Sequence, residues 1–184
     1  MQHDHELPHV RFSQDERHPV VLPVCPYLFP HHACVDQLVA QGLHFRRHVE
    51  SSGFAQPFAI QTEAVPVAME GRDVCGRAKT GSGKTLAFGV PMLARITDTA
   101  EPRRPLGLVL VPTRELAVQV AEVLLPIAAH AGMRVAPVYG GASRHTQIDD
   151  LSRGVELVVA TPLRLIDLIK SKEIELDAVQ IVCL

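Results

Sequence analysis

Apolar positions along the chain alternate between two rhythms. Val35, Leu38, Val39 and Leu43, then Phe45 and Val49, keep helical spacing, with Gly42 as a weak point. Ser51-Ser52-Gly53 ends that stretch. Pro57 enforces an extended approach to a second helix, which opens at Ile60 and runs through Gly71, with Pro66 in its first turns. Asp73-Val74-Cys75-Gly76 is a short strand-like run, and after a glycine-bearing loop a helix reaches to about Ile96. Leu106 to Val111 is continuously apolar, as a strand buried on both faces must be. Pro112-Thr113-Arg114-Glu115-Leu116 turns it into a helix continuing through Val120, Val123 and Leu124, with Thr113 as N-cap. Val135 to Tyr139 reads as a strand stopped by Gly140-Gly141, followed by a short helix around Thr146 to Leu151. Val155 to Val159 is another strand, ended by Ala160-Thr161-Pro162. A helix over about Leu163 to Lys170 and a fifth apolar run, Val179 to Leu184, complete the pattern.

Strands alternating with helices predict an α/β fold, with parallel βαβ units, right-handed crossovers and helices on both faces of one sheet. Ligands of such sheets sit at the carboxyl ends of the strands. The glycine-bearing loop, Pro112-Thr113-Arg114, Gly140-Gly141 and Thr161-Pro162 all follow strand ends, so they are expected on one rim.

Residues 1 to about 30 differ. His3, His5, His9 and His18 mix there with Pro8, Pro19, Pro23, Pro26 and Pro30, a density that blocks helix and central strand alike. Val20-Val21-Leu22-Pro23-Val24 is too short and interrupted for a core strand. Residues 1–32 read as a disordered His- and Pro-rich arm, and 33–184 as the folded part. A metal site from Cys25, His31, His32 and Cys34 fits no standard zinc spacing.

At 184 residues the chain is one domain with an arm, and 47% hydrophobic residues can bury a sizeable core. A formal charge of −2 supplies no global basic field, so nucleic acid must be gripped locally. Cys25, Cys34, Cys75 and Cys183 lack paired spacing and read as reduced thiols of a cytoplasmic protein. No secretory h-region and no run of 18 apolar residues is present, so no membrane span is expected.

The chemistry concentrates in Ala78-Lys79-Thr80-Gly81-Ser82-Gly83-Lys84-Thr85. Strand, loop ending Gly-Lys-Thr, then helix is the context of a phosphate-binding loop. Gly81 and Gly83 reach backbone angles closed to other residues, letting the loop curl around a phosphate. The helix N-terminus adds partial positive charge. Lys84 would reach the β- and γ-phosphates of a nucleotide, and Thr85 would put its hydroxyl on Mg²⁺. The usual first glycine is Ala78 here. Alone, Arg114-Glu115 reads equally as an adjacent charged pair, Gly140-Gly141 as a plain turn, and Thr161-Pro162 as a helix start.

Together these motifs resemble the first RecA-like domain of a DEAD-box ATP-dependent RNA helicase. Gly53-Phe54 to Gln61 resembles the Q motif. Ala78 to Thr85 is similar to motif I, where alanine also replaces the first glycine. Pro112-Thr113-Arg114-Glu115-Leu116-Ala117 matches motif Ia, Gly140-Gly141 the paired-glycine motif, and Thr161-Pro162-Leu163-Arg164 resembles Thr-Pro-Gly-Arg. The resemblance implies a three-layer P-loop NTPase sheet, incomplete at its C-terminal end. It implies that Gln61 hydrogen-bonds the adenine edge, that Phe54 packs near the base, and that Ala78, Lys79, Thr80, Gly81, Ser82, Gly83, Lys84 and Thr85 hold phosphate and Mg²⁺. Thr113, Arg114, Gly140, Gly141, Thr161 and Arg164 would hold the RNA backbone. Phe58 stands where the family has threonine, Leu163 where it has glycine, and Val35 lies near the expected upstream aromatic. After a strand like Ile181-Val182-Cys183-Leu184 the family has Asp-Glu-Ala-Asp, and a second RecA-like half supplies arginines. Both lie outside this chain, which is therefore expected to be a helicase fragment, inactive and poorly stable alone. A nucleotide- or RNA-binding module without turnover, and a P-loop ATPase acting on DNA, are the alternative readings.

Gln61 carries a first prediction. An amide donates and accepts on the adenine edge but pairs poorly with the reversed pattern of guanine. Titration of the full-length protein with ATP and GTP should show tighter ATP binding; equal affinities would count against this role.

Overall fold

The structure is a computed structural model that describes residues 20–22 and 58–184. Gly53, Phe54, the helix expected from Val35, and the arm apart from residues 20–22 lie outside the described residues.

Four strands form a parallel sheet in the order β4-β5-β3-β6: β3 (Gly107–Leu110), β4 (Val135–Val138), β5 (Leu157–Ala160) and β6 (Ile181–Cys183). Side chains alternate across each strand and sort into two cores. Val109, Leu157, Val159 and Cys183 face one side. They meet α1 (Ala59–Met69), α2 (Lys84–Arg95) and α3 (Arg114–His130) through Ala64, Phe88, Met92, Val120 and Leu124. Leu108, Ala136, Val138, Val158 and Ala160 face the other side. There Leu151 of α4 (Arg144–Ser152) and Leu165 and Leu168 of α5 (Pro162–Lys170) cover them. The three-layer α/β architecture is the one expected.

Two differences stand out. The strand before the glycine-bearing loop, β2 (Val74–Gly76), is not hydrogen-bonded to the parallel sheet. It pairs antiparallel with β1 (Val20–Leu22), with Val21 opposite Cys75. The short apolar stretch of the arm, expected to be extended and unfit for a core strand, thus makes a three-residue ladder. Val74 still anchors β2 in the core shared by α1 and α2. In addition, α3 continues past Leu124 to His130; Ala128 is buried and Pro126 lies on the exposed side of the helix.

Close approach of α2 and α3 requires Gly89. A Cβ there would lie 2.2 Å from Leu124 Cδ2, and Leu124 is fully buried and cannot withdraw.

At the amino edge of the sheet, Glu156 is 2% exposed. Its carboxylate accepts from Ala100 N at 3.1 Å and Arg134 N at 2.7 Å. Its carbonyl accepts from Leu106 N and Gly107 N. One residue therefore joins the loop before β3, the start of β4 and the start of β5. Glu156→Ala should cost about 3 kcal/mol, because it removes the carboxylate acceptor from one buried and one part-buried backbone donor. Urea denaturation checks this; a loss below about 0.5 kcal/mol, the range of ordinary surface changes, would contradict it.

Candidate functional site

Register places the loops. Leu110 of β3 and Val138 of β4 both lie opposite Ala160 of β5. Beyond the ladder, Val111 N donates to Ala160 O and Thr161 N donates to Val138 O, both at 2.9 Å. Thr113, Gly140 and Thr161, each one to three residues past a strand end, therefore share the carboxyl rim, as expected.

The glycine-bearing loop is curled and internally latched. Gly81 and Gly83 both have φ of 79°, in the left-handed region that glycine enters without strain. Gly83 is the N-cap of α2, so Lys84 and Thr85 open the helix. Lys84 Nζ donates to Ala78 O at 2.5 Å and to Lys79 O at 3.2 Å. Ser82 N donates to Lys79 O at 3.3 Å. Ser82 Oγ is buried without a hydrogen-bond partner, while Thr80 and Gly81 are exposed. An ammonium spent on neutral carbonyls and an orphaned hydroxyl inside a glycine curl suit a phosphate, which offers both groups a stronger acceptor. Beneath the loop, Ile60, Ala64, Val74, Ala87 and Phe88 line a small apolar hollow beside Lys84.

Gln61 belongs to the same assembly. It sits in the first turn of α1, where its Oε1 accepts from Phe58 N at 3.1 Å. Its Nε2 donates to Gly83 O at 3.1 Å. Gln61 thus touches the loop across 22 positions of sequence. Phe58, in the family's threonine place, is exposed and lies against Gly83.

On the rim, the Thr113 hydroxyl caps α3 by accepting from Leu116 N at 3.3 Å. Arg114 is exposed and pairs with Glu115 at 2.5 Å, so the adjacent-pair reading holds at the structural level. That pairing raises the Arg114 pKa and holds the Glu115 carboxyl below its ordinary range. A Cβ on Gly141 would lie 3.7 Å from Arg114 Nη1, so Arg114 and the paired glycines are neighbours. Gly141 has φ of 91°. Thr161 is the N-cap of α5 with Pro162 after it, but its side chain makes no cap bond. Leu163, in the family's glycine place, is 84% exposed. Arg164 points inward, donating to Gln147 Oε1 at 2.9 Å and facing Ala142 O at 3.5 Å. Sequence reasoning missed Gln147, whose own amide donates to Tyr139 O at 3.0 Å.

Burial pushes the Cys183 thiol up to about 12 by desolvating its thiolate, whereas Cys75 is exposed. Among the described residues no helix is long and apolar enough to cross a membrane.

Comparison with known proteins supplies the frame for this geometry. The DEAD/DEAH box helicase profile matches residues 58–184. DEAD-box ATP-dependent RNA helicase 24 of Arabidopsis thaliana is 47% identical over 127 residues, 67% of this chain and 17% of that protein. Probable ATP-dependent RNA helicase ddx17 of Dictyostelium discoideum is 45% identical over 139 residues, 74% of this chain and 18% of that protein. Among solved structures, a hypothetical ATP-dependent RNA helicase from Sulfolobus tokodaii superposes with a TM-score of 0.63 at 33% identity, covering 83% of this chain and 40% of that one. The yeast DEAD-box splicing factor Prp28 gives 0.64 at 28% identity, covering 73% and 33%. The chain thus spans less than a fifth of these curated relatives.

The two loop glycines should separate on substitution. A Cβ on Gly81 meets nothing within 4 Å, whereas one on Gly83 would meet Gln61 Nε2 at 2.3 Å and Phe58 Cδ2 at 2.8 Å. Gly81→Ala should cost about 1 kcal/mol from the left-handed angle alone. Gly83→Ala should cost more and expel Gln61 from the loop. Thermal melts of the two variants check this; equal losses would contradict it.

Proposed function

Because the chain belongs to the DEAD/DEAH box helicases, we propose that the full-length protein hydrolyses ATP and couples the reaction to local separation of RNA duplexes. This chain supplies the phosphate cradle and part of the RNA surface. The observation that carries the reading is the loop itself: Lys84 latched on Ala78 and Lys79 carbonyls, with Gln61 holding Gly83.

When ATP binds, Lys84 Nζ exchanges two neutral carbonyls for phosphate oxygens, an exchange toward charge-assisted bonds about twice as strong. The curl at Gly81 and Gly83 and the start of α2 turn backbone N–H groups and dipole toward the same phosphates. Ser82 Oγ gains a partner. Thr85 would hold the Mg²⁺ that accompanies ATP, and the ion would supply charge neutralisation. Gln61, at the loop's shoulder, reads the adenine edge, with Phe54 near the base.

On the rim, Thr113, Arg114, Gly140, Gly141 and Thr161 offer hydroxyls, amides and one guanidinium to an RNA backbone. Such contacts position a strand without reading its sequence. They suit a chain of charge −2, which has no general basic field. Leu163 gives this rim an apolar side chain in place of glycine, facing sugars or bases. Partners beyond RNA would include a second RecA-like domain, which completes the reaction with its arginines. The unpaired spacing of Cys25, Cys34, Cys75 and Cys183 supports a reducing, cytoplasmic setting.

The test is ATP turnover by the full-length protein with and without single-stranded RNA, beside Lys84→Ala. Wild type should be RNA-stimulated. Lys84→Ala should bind ATP about tenfold to hundredfold more weakly, the loss of one or two charge-assisted bonds, while keeping its fold. Wild-type turnover by Lys84→Ala would overturn the assignment of the loop.

A further inference from the structure

Among the described residues two polar residues are buried as a whole, Glu156 at the amino edge of the sheet and Gln147 beneath its carboxyl rim. Glu156 is accounted for by the backbone it joins. Gln147 is 6% exposed, on a short helix whose other residues are mostly polar and half-buried or exposed. Its two ends do different things. Nε2 donates to Tyr139 O, the carbonyl just before Gly140-Gly141. Oε1 accepts from Arg164 Nη1, and the same nitrogen faces Ala142 O, the carbonyl just after those glycines. One amide therefore joins both shoulders of the glycine turn to the first turn of α5.

We infer that Gln147 is a positioning residue for RNA, holding the Gly140-Gly141 turn and the Arg164 guanidinium as one preformed backbone-binding unit. The inference rests on the RNA-helicase reading above. A glycine pair is the most pliable dipeptide a chain can offer, and ordering it on a ligand carries the full backbone entropy. Gln147 removes part of that penalty in advance, fixing the Tyr139 carbonyl directly and the Ala142 carbonyl through Arg164. It also decides where the charge of Arg164 sits. The Arg164 side chain is 15% exposed, with Asp167 Oδ2 3.9 Å from its Nε. Arg144 competes for that same carboxylate oxygen at 3.2 Å and donates to Ser171 Oγ at 2.5 Å. Arg164 is thereby left to lean on Gln147 and the turn, so its charge lies behind Gly140-Gly141 and not out in solvent. The amide matters as an amide. A side chain that only donates cannot hold Arg164, and one that only accepts cannot hold Tyr139 O.

Two substitutions in the full-length protein test this. Gln147→Met keeps the volume and loses both bonds. Gln147→Glu keeps an acceptor for Arg164 but turns a carboxylate oxygen toward Tyr139 O, releasing the turn alone. RNA-stimulated ATP turnover is measured against RNA and against ATP, with amide hydrogen exchange at Gly141 and Ala142. Gln147→Met should raise the half-saturating RNA concentration at least about tenfold, since it loses one neutral and one charge-assisted bond. The KM for ATP should stay within twofold. Gln147→Glu should give a smaller rise, and exchange at the turn should quicken in both variants. If Gln147→Met does not fold, Gln147→Glu is read alone against wild type. Unchanged half-saturation and exchange would overturn the inference, as would RNA and ATP constants rising in step with a lowered Tm. Wild type without any response to RNA would sink the helicase reading, and this inference with it. Stimulated wild type with an indifferent Gln147→Met would sink the inference alone.

Discussion

The register of three parallel strands governs the rest of the molecule. With Leu110 and Val138 both opposite Ala160, the segments after β3, β4 and β5 emerge at one height. That height holds because β5 is fully buried and its side chains alternate between two cores. A one-residue slip would exchange every side chain between the α1–α3 side and the α4–α5 side. The sheet is thus secured by burial on both faces and, at its amino edge, by the Glu156 carboxylate. The carboxyl edge is left to chemistry.

Within that frame the glycine-bearing loop is held by its own polar atoms. Lys84 satisfies two carbonyls of its own loop, and Gln61 fixes the carbonyl of Gly83. Each bond is modest in net terms, about 1–3 kcal/mol where one partner is charged. A phosphate would outcompete such carbonyls, so on the proposed reading the latch keeps the loop curled and would still yield to ligand. The carboxyl rim follows the same logic. Gln147 orders the glycine turn through polar bonds that leave its outward face available.

Long-range order was legible where hydrophobicity carried it. The apolar runs at Leu106, Val135, Val155 and Val179 became β3, β4, β5 and β6 with ends shifted by a residue or two. The loop from Ala78 to Thr85 was legible because glycine, lysine and threonine are demanded there by backbone geometry and charge. Strand β2 was legible as a strand but not by partner. Three residues carry no periodic signature, and nothing local distinguishes a place in the parallel sheet from the antiparallel pairing with β1. Glu156 left a visible signal, a charge inside an apolar run, whose meaning needed the approach of Ala100 and Arg134. Gln147 left none. A neutral amide on a polar helix looks like solvent-facing surface until the turn and Arg164 close around it. The reach of Gln61 to Gly83 was likewise hidden, since it depends on how α1 meets α2.

The most direct measurement is a crystal structure of the full-length protein with a non-hydrolysable ATP analogue. The account predicts Lys84 Nζ withdrawn from the carbonyls of Ala78 and Lys79 and bonded to phosphate oxygens, with Ser82 Oγ partnered inside the curl. A nucleotide bound elsewhere, or phosphates in the loop with Lys84 still on its two carbonyls, would contradict it.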